Sequence, residues 1–205
     1  HNHCPTSPYY RQKVYEIDSM LAKRYADHPA VIGWHISNEL QGECFCPLCR
    51  KEFSKWLQKK YKTIDKLNFQ WWTAFWSHTY DDFDSVEPPL PNGDTFSALQ
   101  LDWKRFITDK TADFVNNEVN AVRQYSDLPV TVNMMYRYTG LNYNILAKSV
   151  DVVSWDNYPM WHGIGKDGKY NDRDVAMDIA MSHDAFRCLK QRPFLLMEST
   201  PSNTN

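Results

Sequence analysis

With 205 residues the chain is long enough for one large domain or two small ones, and it is rich in aromatics, 15% including eight Trp. A formal net charge of −2 gives no electrostatic attraction for a polyanion, which excludes nucleic acid as a first reading. No run of about eighteen apolar residues exists to span a membrane, and no basic-then-apolar leader opens the chain, so the expectation is a cytoplasmic protein.

Ser7 and Pro8 read as the N-cap and first residue of a helix, with Val14, Ile17, Leu21 and Tyr25 as one buried stripe before "DHP" ends it. "AVIGWHIS", residues 30–37, is short, apolar and bounded by Pro29 and a polar turn, which predicts a buried strand. Residues 49–60 form a basic amphipathic helix with Phe53, Trp56 and Leu57 turned inward. The stretch 62–93, dense in Trp, Asp and Pro, has no clean period and reads as an insertion carrying short helical pieces.

From 94 to 125, Trp103, Phe106, Ile107, Phe114, Val115, Val119 and Val122 recur near 3.6 and predict a long helix. "LPVTVNMM" is then a strand, and "VDVVSWDNYP", residues 150–159, a strand running into an aromatic loop. "KDGKYND" is a turn, residues 173–190 a helix in which Cys188 is expected to be a buried small hydrophobe, and "RPFLLMEST", residues 192–200, the last strand.

Helices alternating with continuously apolar strands mark βα units and a parallel sheet. No glycine-rich phosphate turn follows any strand, which argues against a nucleotide-binding doubly wound fold. Polar residues follow instead: Ser37, Asn38 and Glu39; Asn133; Asp156, Asn157 and Tyr158; Glu198 and Ser199. That is how a (βα)8 TIM barrel builds a site at its C-terminal rim. Such a barrel needs eight strands, and four are legible. The expected fold is therefore α/β, with residues 1–205 a partial catalytic barrel covering roughly its middle half.

Cys4, Cys44, Cys46 and Cys49 crowd the first quarter of the chain. Their spacing suits a tetrahedral metal site better than disulfides. Glu39 and Glu198 end strands three units apart, so a curved sheet can bring both to one substrate. Two facing carboxyls are what glycosidic cleavage needs, one to protonate the leaving oxygen and one to attack the anomeric carbon.

On these motifs the chain resembles known enzymes. "GWHISNEL" and "FLLMEST" resemble the acid/base strand and nucleophile strand of the large clan of barrel glycosidases. "HCPTSPYYR", "WHISNELQGECFCPLCRKEFSKWL", "LNFQWWTAFWSHTYDDFDSVEPP" and "DVVSWDNYP" are similar to successive blocks of glycoside hydrolase family 42, the β-galactosidases. The resemblance runs nearly end to end and implies strands four to seven of that family's barrel. It implies a retaining hydrolase that releases terminal β-D-galactose through a covalent glycosyl-enzyme, with Glu39 as acid/base and Glu198 as nucleophile. It further implies substrate contacts from Asn38, Tyr158, Trp155 and Trp161, a structural Zn²⁺ on Cys4, Cys44, Cys46 and Cys49, and a homotrimer of the full-length enzyme acting on β-galactosides.

Two other readings stay open: a different retaining barrel glycosidase of the β-mannanase, cellulase or β-glucosidase type, or a zinc-binding module without catalysis. The module leaves most of the chain unexplained. His1, His3, His35, His78 and His162 show no metal-ligand spacing and read as scaffold, and no G-x-S-x-G elbow exists for a serine hydrolase.

Overall fold

The computed structural model describes residues 3–89, 96–135, 138–159 and 171–199. Helix α1 spans Pro8–Tyr25, with Ser7 Oγ accepting the N–H of Tyr10 at the N-cap and Pro8 in the first turn. Strand β1 is confined to Trp34–His35. Helix α2, Pro47–Tyr61, is capped by Cys46; α3, Ile64–Trp71, is capped by Thr63 and runs into a 3-10 turn at Thr73–Trp76. The long helix α4 covers Ser97–Arg123. Strands β2 (Val130–Thr131) and β3 (Asn133–Met134) are two halves of one strand on either side of Val132. A short helix α5 (Tyr143–Leu146), strand β4 (Ser154–Asn157), helix α6 (Asp172–Lys190) and strand β5 (Leu195–Ser199) complete the order.

All strand pairs are parallel and sequential: β1 with β2, β3 with β4, β4 with β5. Together they form one arc of four consecutive barrel-type strands with helices on the outer side. Gly33 lets the arc start tightly, since a Cβ there would lie 3.0 Å from the carbonyl oxygen of Pro129, to which Trp34 N–H donates at 2.8 Å.

The core lies between strands and helices. Phe53, Leu57, Trp103 and Phe106 interdigitate where α2 crosses α4, with Phe53 edge-on to Trp103 at 5.0 Å. The segment after α2 packs onto the same helix, because Trp71 and Tyr61 both reach the buried carboxylate of Asp102 in α4. The end of the expected insertion lies outside the described residues.

Two expectations fail. The stripe Ile17, Leu21 and Tyr25 of α1 is 58, 48 and 41% exposed, because α1 rests on α4 through a face turned about 100° from it, where Ala22 is fully buried. Cys188 is exposed, because it lies two residues, about 200° of helix, from the buried Phe186. The strands are also shorter than their apolar runs, since ladder bonding covers only the central residues of each.

Candidate active site

The strands deliver polar side chains to one rim. After β1 the backbone bends through two positive φ values, 47° at Ser37 and 40° at Glu39, a region that costs a non-glycine residue about 1–3 kcal/mol. Two anchors hold that turn. Ser37 Oγ sits 2.8 Å from both carboxylate oxygens of Glu118, which is buried on the inner face of α4. Glu39 N–H donates to Asn133 Oδ1 at 3.0 Å.

Asn133, 1% exposed at the start of β3, is the hub of the rim. Its Oδ1 also meets His35 Nε2 at 3.0 Å. Its Nδ2 lies 2.8 Å from Asp156 Oδ2, 3.0 Å from Asn38 Oδ1 and 3.2 Å from Glu198 Oε1. An amide has two N–H hydrogens, so it serves two of these three acceptors at a time.

Around this hub stand three carboxyls, Glu39, Asp156 and Glu198, each offering an oxygen within 4.8 Å of the others. Tyr158 donates its phenolic hydroxyl to Glu198 Oε2. That hydrogen bond to a carboxylate, then burial, pushes the phenol up to about 12. Burial pushes Asp156 up to about 7, with the charge of Glu198 and the contact to Glu39 adding to it against the Asn133 hydrogen bond. Burial likewise raises Glu118 to about 7, the hydrogen bond from Ser37 opposing it and the charge of Asp18 adding to it.

Glu39, Glu198, Asn38 and Tyr158 are thus brought together. Trp155 is not. It is fully buried on the helix side of β4, stacked on Phe186 at 5.0 Å and edge-on to His183 at 5.1 Å. Alternation along a strand explains this, since Asp156 next to it points to the rim. Trp155 is a core residue and does not wall the pocket. Trp161 lies outside the described residues.

The four thiols also converge. Cys4 Sγ is 3.5 Å from Cys46 Sγ and 3.4 Å from Cys49 Sγ, and all four sulfurs lie within 4.8 Å of one another. Four thiolates at about 2.3 Å from one ion stand roughly 3.8 Å apart, so the set fits a tetrahedral metal. Cys46 caps α2. Burial raises its thiol, but the N–H groups of Cys49 and Leu48 and the neighbouring thiols outweigh that and bring it down to about 7. Thr6 Oγ1, 2.7 Å from Cys49 Sγ, supports the cluster from outside. A cavity bounded by Thr6, Tyr10, Ser37, Asn38, Cys44 and Cys49 separates clasp from carboxyls.

Sequence reasoning gave no role to Asn133, Asp156, Glu118 or Thr6. Glu118 had a signal, an acid on the apolar stripe between Val115 and Val122. Asp156 and Asn133 were visible only as polar strand ends.

The chain is similar throughout to characterised enzymes. The β-galactosidase family model, glycoside hydrolase family 42, matches residues 1–205. β-Galactosidase BglY of Alicyclobacillus acidocaldarius is 54% identical over 209 residues, covering 100% of this chain and 29% of that protein. GanA of Bacillus subtilis is 46% identical, covering 100% and 31%. The crystal structure of the cold-adapted β-galactosidase from Rahnella sp. R3 superposes with a TM-score of 0.92 at 48% identity, covering 98% of this chain and 29% of that one. The chain therefore spans about 30% of the length of these relatives.

Proposed function

Because this chain belongs to glycoside hydrolase family 42, the β-galactosidases, we propose that it carries the catalytic carboxyls of a barrel enzyme that removes terminal β-D-galactose with retention of configuration. One observation supports the mechanism most directly: oxygens of Glu39 and Glu198 lie within 4.8 Å. Retaining pairs stand about 5–5.5 Å apart, whereas inverting pairs leave roughly 6.5–9.5 Å for a water.

In this reading Glu198 attacks the anomeric carbon while Glu39 protonates the departing oxygen. A galactosyl ester forms on Glu198, the aglycone leaves with the proton, and Glu39 becomes a carboxylate. Water then attacks the anomeric carbon, losing its proton to Glu39 as the bond from that carbon to Glu198 breaks and frees the carboxylate. Tyr158 stabilises the ionised nucleophile through its hydroxyl. Asn38, oriented by Asn133 Nδ2, is set to hydrogen-bond the sugar 2-hydroxyl.

Cys4, Cys44, Cys46 and Cys49 would hold Zn²⁺ as a structural ion. Four protein ligands leave no open position for water, so its contribution is to tie the loop after β1 to the segment before α1. Among the described residues the cysteines are free thiols, as a metal site requires, and a cytoplasmic setting is part of the same reading. No helix among those residues is long and apolar enough to cross a membrane. The whole protein is taken to act as a homotrimer, which light scattering of the full-length enzyme tests.

The decisive test uses a protein carrying this chain at the full length of its relatives. It should hydrolyse nitrophenyl β-galactoside in preference to the mannoside and glucoside, and NMR should show β-galactose as the first product. Glu198→Gln should lose turnover while keeping its fold. Wild-type turnover in that variant would remove Glu198 from the mechanism, and preference for the mannoside or glucoside would favour another barrel glycosidase.

A further inference from the structure

Asp156 stands in the rim yet takes no step in the reaction above. It comes from the C-terminal half of β4, is 2% exposed, and its two oxygens have different surroundings. Oδ2 accepts the Nδ2–H of Asn133 at 2.8 Å. Oδ1 is shut from solvent and meets no hydrogen-bond donor among the described residues. Other carboxyls surround the Asp156 carboxyl as a whole, since Glu39 and Glu198 each bring an oxygen within 4.8 Å of one of its oxygens and Glu39 comes within hydrogen-bonding reach.

An ionised carboxylate in that place would have one buried oxygen without a donor, beside the carboxylate of Glu198 at rest and beside that of Glu39 once it has given up its proton. A proton on Oδ1 removes both difficulties, because it turns the orphan acceptor into a donor aimed at Glu39. We propose that Asp156 is a positioning residue held as a neutral carboxylic acid, whose Oδ1–H donates to Glu39 and stabilises the carboxylate that Glu39 becomes when it gives up its proton. The proposal rests on the assignment of Glu39 and Glu198 made above.

The charge balance of the reaction agrees. With Asp156 neutral, the resting site holds one negative charge, on Glu198. When the glycosyl ester forms, Glu198 becomes neutral and Glu39 becomes the carboxylate, so the site still holds one. The proton of Asp156 stays on Asp156 throughout. With Asp156 ionised, the site would carry a second negative charge at every stage, inside a shell of about 5 Å.

The titratable groups facing Asp156 are Glu39 from the turn after β1, Glu198 from β5, Tyr158 beyond β4 and Tyr143 from α5. Tyr138 acts on Tyr143 in turn, His35 reaches the cluster through Asn133, and His183 of α6 packs on Trp155. Burial, with Glu198 and Glu39 behind it, places the ionisation of Asp156 at about 7.

Asparagine reproduces a neutral Asp156: its carbonyl accepts from Asn133 and its N–H donates to Glu39. In the full-length enzyme, Asp156→Asn should therefore keep kcat within about tenfold of wild type, whereas Asp156→Ala should lose about a hundredfold or more. The kcat profile of Asp156→Asn should also lack an ionisation near neutrality that the wild-type profile should contain. A residue that only filled space would leave that profile in place.

A second readout does not depend on turnover. The folded state holds the Asp156 proton up to about pH 7 and the unfolded chain loses it near 4, so wild-type stability falls with pH across that interval. Asp156→Asn lacks this loss, and its melting temperature should gain on wild type as pH rises from about 4 to 7. A difference that stays flat, or an Asn variant as inactive as the Ala variant, overturns the proposal. If wild type itself splits no galactoside, the assignment of the reaction fails, and the melting curves still decide the charge of Asp156.

Discussion

The turn that presents Glu39 is held by a carboxylate two elements away. Glu118 receives the Ser37 hydroxyl from within α4 and has Asp18 of α1 as a charged neighbour, itself raised to about 6 by burial. A carboxyl whose folded-state pKa stands near 7 against an ordinary 4.5 binds its proton more tightly when folded. Stability from this source is therefore complete below about pH 4.5 and is lost as pH rises to 7, on the order of 3 kcal/mol in all. Glu118→Gln should flatten that part of the wild-type curve of melting temperature against pH. Glu118→Ala removes the partner of Ser37 and should cost about 1–3 kcal/mol and lower kcat through the displaced Glu39. Denaturant titration and steady-state kinetics on the two variants separate these effects. Tyr158→Phe takes the hydroxyl donor from Glu198 and should lower kcat by about tenfold while the fold and melting temperature hold, which steady-state kinetics and thermal denaturation check.

At the scale of elements, α2 joins the two halves of the site. Its N-terminus carries Cys46 and Cys49 of the clasp, and its C-terminal half carries Lys60 and Tyr61 to Asp102 of α4. Asp102 is buried and also meets Arg105 at 3.0 Å and Trp71 Nε1 at 3.2 Å. Burial works against its charge, but the hydrogen bonds from Lys60, Tyr61 and Arg105 outweigh it and hold the carboxyl below its ordinary range. Its contribution is present at neutral pH and is lost as pH falls through that depressed value, the reverse of Glu118. Asp102→Ala leaves Lys60 and Tyr61 without their partner and should cost about 3–5 kcal/mol by chemical denaturation. At the other end of α2, chelation of the metal should lower the melting temperature and, through disorder in residues 40–46, reduce turnover. Metal analysis of the full-length protein should find one zinc per chain, and stripping it with no change in stability or rate would exclude the clasp role.

The molecule as a whole is an arc. Among the described residues the strands pair with their sequence neighbours, and Leu195 and Leu196 of β5 are 48 and 42% exposed. The chain spans about 30% of the length of the relatives it matches. Open strand edges and an apolar helix stripe such as Ile17, Leu21 and Tyr25 favour association. The 205 residues expressed alone should bind a hydrophobic dye, aggregate on concentration and show no galactosidase activity, whereas the full-length chain should be monodisperse and active. Size-exclusion chromatography and dye fluorescence of the two forms provide the comparison.

Elements and chemistry were legible to different depths. Apolar periodicity located α2 and α4, because each buries a stripe long enough to show its period; in α1 it marked the helix but not the buried face. The strands were found but drawn too long, since an apolar run does not mark where ladder pairing stops. The Asn38–Glu39 pair and Glu198 stood out as polar strand ends and the four thiols by their spacing, while a role for Tyr158 came from the family resemblance; the structure brings the first four to one rim and the thiols to one cluster. Trp155 and Cys188 were misread because composition does not tell which side of an element a residue faces when both sides are apolar. Asn133 as hub, Asp156 beside Glu39, and Glu118 beneath Ser37 join residues 23 to 117 positions apart. By itself, then, the sequence determined which residue types stand at the strand ends and hence the class of chemistry. Only the tertiary structure decided which carboxyls meet and which must share a proton, because burial and mutual distance, the quantities that set charge, exist only once the strands are side by side.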